Sequence, residues 1–167
     1  MSVLKIHTYP DKILKKPAEP LQEINGTTQA LIDNMIDTMH AAPGIGLAAT
    51  QVGNSNRVVV IDVSNVEEKH PLIVLINPEI VQSEGTMDSE EGCLSVPNYI
   101  STIRRHENVL VRGLDRNGNE IEIEGTGLLS RVLQHELDHL DGILFVDRLS
   151  KIKKEFFKRR YLRPLKV

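Results

Sequence analysis

The stretch Gly127 to Leu140, GLLSRVLQHELDHL, constrains this 167-residue chain more than any other. Its apolar positions Leu128, Leu129, Val132, Leu133, Leu137 and Leu140 recur at helical spacing, and Gly142 follows as a stop. The same helix carries His135-Glu136-Leu137-Asp138-His139, an H-E-x-x-H sequence. Residues four apart on a helix share one face. Two imidazoles so placed can bind one metal ion, and Glu136 beside them can reach a bound water as general base. The bland alternative is two surface histidines on an amphipathic helix, but chance gives such a match in only roughly 2% of sequences of this composition.

The surrounding pattern supplies a framework for that helix. Leu31, Ile32, Met35, Ile36 and Met39 mark an earlier amphipathic helix between Thr27 and Ala42, ended by Pro43 and Gly44. Arg57 to Val63 and Leu72 to Ile76 are short β-branched runs that suit buried strands, the second interrupted by Asn77-Pro78. Val109 to Leu114 and the alternating Glu120 to Glu124 flank Asp-Arg-Asn-Gly, a strong hairpin signal. This order is not a regular βαβ alternation. It predicts a single α+β domain over residues 1–167, with mainly antiparallel sheet packed around the central HExxH helix.

Composition removes several classes. No apolar run approaches the roughly 20 residues of a membrane span, so no membrane partner is expected. The first twelve residues lack the apolar core of a secretory signal, and one cysteine, Cys93, suits a reducing cytoplasm. Trp is absent and aromatics total six, which argues against base-stacking modules and a DNA partner. Residues 150–167 hold eight Lys/Arg against Glu155 alone, a basic C-terminal tail or helix of net +7 on a body of net −10. Such a tail suits either docking to a polyanion or plain solvation.

A catalytic metal needs a third protein ligand. No histidine follows His139, and Phe145 stands where a metzincin would place one. Asp141, Asp147 and Glu155 lie close behind the helix or in the tail. Cys93, in a polar segment broken by Gly92, is the other candidate, and a Cys/His/His set would leave a fourth position for water. Gly44 to Gln51, GIGLAATQ, matches a dinucleotide-binding spacing, but a helix and Pro43 precede it where that fold needs a strand. What remains is a loop whose glycines let backbone approach a ligand, leading to a Gln51 amide able to donate to an oxyanion.

Taken together, GIGLAATQ (Gly44 to Gln51), EGCLS (Glu91 to Ser95) and QHELDHLDG (Gln134 to Gly142) resemble the three signature motifs of peptide deformylases of bacterial type. The resemblance implies the fold of that family with a C-terminal helix, and hydrolysis of the N-formyl group from the methionine that starts nascent peptides. It implies Cys93, His135 and His139 as metal ligands and Glu136 as the base, with the Gln51 amide and the Leu94 backbone N–H facing the oxyanion. The metal it implies is ferrous iron (Fe2+), one per chain, with zinc, nickel or cobalt as substitutes; the ligand types alone would favour zinc. By the same resemblance Gly46 offers main-chain groups to an extended peptide. Leu128 and Val132 share the face of His135, and with Ile45 they are expected to line an apolar slot for methionine. The basic tail is expected to meet the ribosome. The competing readings are a non-catalytic metal-containing module that binds N-termini, and a metallopeptidase. Retention of Glu136 speaks against the first, and the lack of a downstream His or Glu motif against the second.

Overall fold

The computed structural model describes residues 2–67 and 70–162. Helix α1 (Gly26–Ala41) precedes strands β1 (Gly46–Ala48), β2 (Val58–Ile61), β3 (Ile73–Glu84), β4 (Met87–Cys93), β5 (Val96–Arg105), β6 (Asn108–Leu114) and β7 (Glu120–Thr126). Helix α2 (Leu128–Leu140) and the C-terminal α3 (Lys151–Phe157) follow, and α3 runs on into one wider turn, Lys158–Leu162. All strand pairings are antiparallel, in a five-stranded sheet ordered β1-β2-β3-β6-β7 and a separate β4-β5 ribbon. The α+β class and the C-terminal helix expected from the sequence are both present.

Strand β2 is buried along its whole length because helices cover both faces of the sheet. Val59 and Ile61 pack with Leu75 and Val111 against Leu133 and Leu137 of α2. Val58 and Val60 point the other way, onto Ile32, Met35 and Met39 of α1. A fully apolar strand run is what two-sided burial requires, and each such side chain contributes about 1.5–3 kcal/mol. The α1 cap is a reciprocal pair: the Thr28 N–H donates to Asn25 Oδ1, and the Asn25 N–H to Thr28 Oγ1. The helix thus starts at Gly26, one residue before the position suggested by its apolar rhythm.

Two expectations need correction. Asn77-Pro78 does not end the second apolar run, since β3 continues through it to Glu84 with a register shift between Ile76 and Glu79. Asn77 sits at φ 53° in the left-handed region, its side chain accepting from the Leu21 N–H and donating to the Leu21 carbonyl. The bulge absorbs a proline that cannot donate to the ladder. The segment around Cys93, too polar and Gly-broken on its sequence to be a core strand, ends strand β4, whose inward residues are Ser89 and Glu91 rather than apolar ones.

A third cluster ties the chain ends to the ribbon. Phe145, Leu149 and Phe157 pack on Val96 and Ile103 of β5, with Tyr9, Tyr99 and Tyr161 against them. Tail residues Arg163 and Lys166 lie outside the described residues.

After α2, Gly142 takes φ 78°, and a Cβ there would stand 2.4 Å from the Lys15 carbonyl oxygen. Gly142→Ala combines left-handed strain with a clash against backbone, so it is expected to cost about 2–4 kcal/mol. Gly26→Ala, with nothing near its Cβ, is expected to be neutral or to stabilise by up to about 1 kcal/mol. Urea midpoints of the two variants measure this contrast, and equal midpoints would contradict it.

Candidate metal centre

Helix α2 and the end of β4 bring the donors together. His135 Nε2 and His139 Nε2 stand 3.2 Å apart, and Cys93 Sγ lies 3.3 Å from His139 Nε2. All three ligand atoms fall within 4.8 Å of one another, and His135 and His139 are buried. Two imidazole nitrogens and a sulfur converging on one point, with no carboxylate from Asp141, Asp147 or Glu155 among them, form a donor set of the Cys/His/His kind. Burial disfavours charge on both rings, yet Cys93 and Glu91 hold the His135 pKa well above its ordinary value. Burial and the neighbouring His135 push His139 well below.

His135 and Cys93 are oriented by neighbours, whereas His139 Nδ1 has no partner among the described residues. His135 Nδ1 donates to Glu91 Oε1 at 2.9 Å, fixing the tautomer that leaves Nε2 facing Cys93 and His139. Glu91 in turn accepts from Arg105 through Nε and Nη2 at 2.8 and 2.9 Å, and from Ser89 Oγ at 2.8 Å. Burial alone would raise the Glu91 pKa, but the Arg105 and His135 hydrogen bonds bring it down to about 2. Arg105 Nη1 also donates to Asp138 of α2 at 2.6 Å, and Arg148 forks onto the same carboxylate at 2.6 and 2.7 Å. The Thr50 hydroxyl donates to the His139 carbonyl at 3.2 Å. The Ser95 N–H and Gln51 Nε2 donate to Cys93 Sγ at 3.4 and 3.7 Å. Gln51 is held by the Ala48 N–H, which donates to its Oε1, while its Nε2 also reaches Ser95 Oγ.

Glu136 is 4 % exposed, and its Oε1 has no partner among the described residues. Burial is the largest cause of its pKa being pushed up to about 7. A buried carboxylate without a hydrogen bond calls for a ligand or water. Gly46 lies against it: a Cβ at Gly46 would sit 2.5 Å from Glu136 Oε2. Gly44 plays the same part for Leu94, whose Cδ1 would be 2.8 Å from a Cβ. The glycines of GIGLAATQ, expected to bring backbone near a ligand, make room here for two side chains, and Gly46 to Ala48 is a strand rather than loop.

These groups face a cleft of about 500 Å³. One wall runs from Pro43 to Gly46, the other is made by Leu94 and Asn98 to Ile100, and Val132, His135 and Glu136 form the floor. Ile45, Gly46, Gln51, Leu94 and Val132 all border it. Leu128 does not, being half-buried against the core cluster that also takes Ile45. The sequence reading missed Glu91, Arg105 and Asp138. The available signal was a set of opposite charges on inward positions of β4, β5 and α2, which only strand register could align.

The comparisons with known proteins agree with this architecture. The polypeptide deformylase family model matches residues 3–155. A peptide deformylase of Thermodesulfovibrio yellowstonii is 59% identical over 161 residues, covering 96% of this chain and 98% of the relative. One from Syntrophobacter fumaroxidans is 52% identical over 166 residues, covering 99% and 98%. The crystal structure of a peptide deformylase from Legionella pneumophila superposes with a TM-score of 0.90 at 48% identity, covering 98% of this chain and 95% of that one. An Ehrlichia chaffeensis peptide deformylase in complex with actinonin gives 0.88 at 42% identity, covering 96% and 99%. On a match that spans nearly the whole chain, it belongs to the polypeptide deformylase family, a family of hydrolytic enzymes.

Proposed function

We propose that the chain removes the N-formyl group from the terminal methionine of newly made polypeptides, releasing formate. The convergence of Cys93, His135 and His139 beside the buried Glu136 carries this reading. Cys93, His135 and His139 would hold one divalent cation, in the cell ferrous iron, with zinc, nickel or cobalt as substitutes. That cation supplies Lewis acidity, polarising the formyl carbonyl and making water acidic enough to act near neutral pH.

The protein's own groups then do the rest. Glu136 takes a proton from the attacking water and passes it to the departing amine, a double duty that suits a carboxyl tuned near neutrality. Gln51 Nε2 and the Leu94 N–H donate to the oxyanion, and the Ala48 contact keeps the Gln51 amide from turning away. Ile45 and Val132 bound an apolar slot for the methionine side chain, with Leu128 packed behind Ile45. The Gly46 backbone pairs with the peptide, which lies extended beside β1.

We also propose cytoplasmic action at the ribosome, with the basic C-terminal helix against RNA phosphate. No helix among the described residues is long and apolar enough to cross a membrane. Deleting the tail would confuse the test, because Phe157 is 3 % exposed inside the third cluster. The double change Lys151→Glu and Lys158→Glu on exposed positions is expected to weaken ribosome co-sedimentation at low salt. Unaltered co-sedimentation would remove the ribosome from the account.

Glu136→Ala is expected to lower formate release from formyl-Met-Ala-Ser by about 10²–10⁴-fold while the metal content stays at one ion per chain. Anaerobic kinetics beside metal analysis measure both, and near-normal release by the variant would overturn the role of Glu136. Gly46→Ala is expected to displace Glu136 and lower kcat by about 10²-fold, the cost of a misplaced reacting group. An unchanged kcat would show that the close approach has no part in the reaction.

A further inference from the structure

Arg131 has a charge that nothing described so far uses. It borders the cleft one turn before His135 on α2, next to Val132. Its side chain's only hydrogen bond among the described residues runs from Nη1 to the Glu90 carbonyl at 3.1 Å, an uncharged acceptor. No carboxylate lies within ion-pair distance of it among those residues, unlike Arg57, Arg105, Arg112, Arg116 and Arg148. Glu91, which also borders the cleft, is already saturated by Arg105, His135 and Ser89. The cleft rim therefore presents a guanidinium with most of its donors unspent, on a protein whose body is otherwise acidic.

The geometry of an extended peptide says which substrate residue meets it. Successive side chains of a strand point to opposite sides, so the first and third share a side and are about 6.7 Å apart. With the methionine side chain against Val132, the second side chain faces away from α2. The third returns to the α2 side, where Arg131 adjoins Val132 and borders the same cleft.

We propose that Arg131 selects for a carboxylate on the third residue of the formylated peptide and against a cation there. The inference rests on the deformylase reading and adds a preference that reading leaves open. A guanidinium and a carboxylate at a half-open rim are expected to give about a 3–10-fold difference in kcat/KM, shrinking as salt is added.

The test compares formyl-Met-Ala-Glu-amide with formyl-Met-Ala-Lys-amide, the amides removing the terminal carboxylate as a rival anion. Because the readout is a ratio on one enzyme preparation, losses of folding or metal cancel. The Glu peptide is expected to lead with the parent, the ratio to approach one in Arg131→Gln, and to invert in Arg131→Glu. Formyl-Met-Glu-Ala-amide and formyl-Met-Lys-Ala-amide should differ little. A ratio unchanged by Arg131→Gln, or a preference set at the second position, would overturn the proposal. Failure of the parent to hydrolyse formyl-Met-Ala-Ala-amide would overturn the deformylase reading itself, and the Arg131 preference with it.

Discussion

The arrangement depends on one buried cation. The Arg105 side chain is 2 % exposed, and it joins Glu91 of β4 to Asp138 of α2. Burying a guanidinium costs several kcal/mol unless its donors are met, and here Nε and Nη2 donate to Glu91 while Nη1 donates to Asp138. The ribbon and the HExxH helix belong to separate layers, and this bridge locks their separation. Since Glu91 also fixes the His135 ring, the bridge that holds the layers also orients the donor atoms. Removing either acid would leave the other half uncompensated in a dry site.

Aromatic packing reinforces the bridge from the outside. Phe145 stacks near His135 with centroids 6.1 Å apart, Tyr99 lies over Phe145, and Phe157 of α3 packs on Tyr99 at 4.7 Å. The C-terminal helix therefore rests on the layer that supports His135 and on a residue that borders the cleft. The exposed positions of α3 carry Lys151 and Lys153 together with the apolar Ile152 and Phe156.

The sequence made some of this plain and hid the rest for physical reasons. Helices α1 and α2 and the β6–β7 hairpin were legible because one face of each is apolar and their ends carry a cap, a glycine or a turn signal. Strands β4 and β5 were not, because polar Ser89, Glu91 and Arg105 share their inward positions with Val96 and Ile103, so no clean alternation of hydrophobicity marks the buried face. The path of β3 beyond Pro78 was hidden by a bulge that depends on Leu21, 56 residues away. At the site, the HExxH residues could be placed from helical spacing alone. Cys93 could only be one candidate until β4 brought it to His139, and Arg131 gained meaning from the empty ionic surroundings that only coordinates reveal.

If Cys93, His135 and His139 share one cation, its first shell holds one sulfur and two nitrogens from the protein. X-ray absorption at the metal edge of anaerobically prepared protein reads that donor set without relying on turnover. One sulfur and two imidazole nitrogens, with the sulfur signal lost in Cys93→Ser, is the predicted result. A first shell of nitrogen and oxygen alone in the parent protein would contradict it.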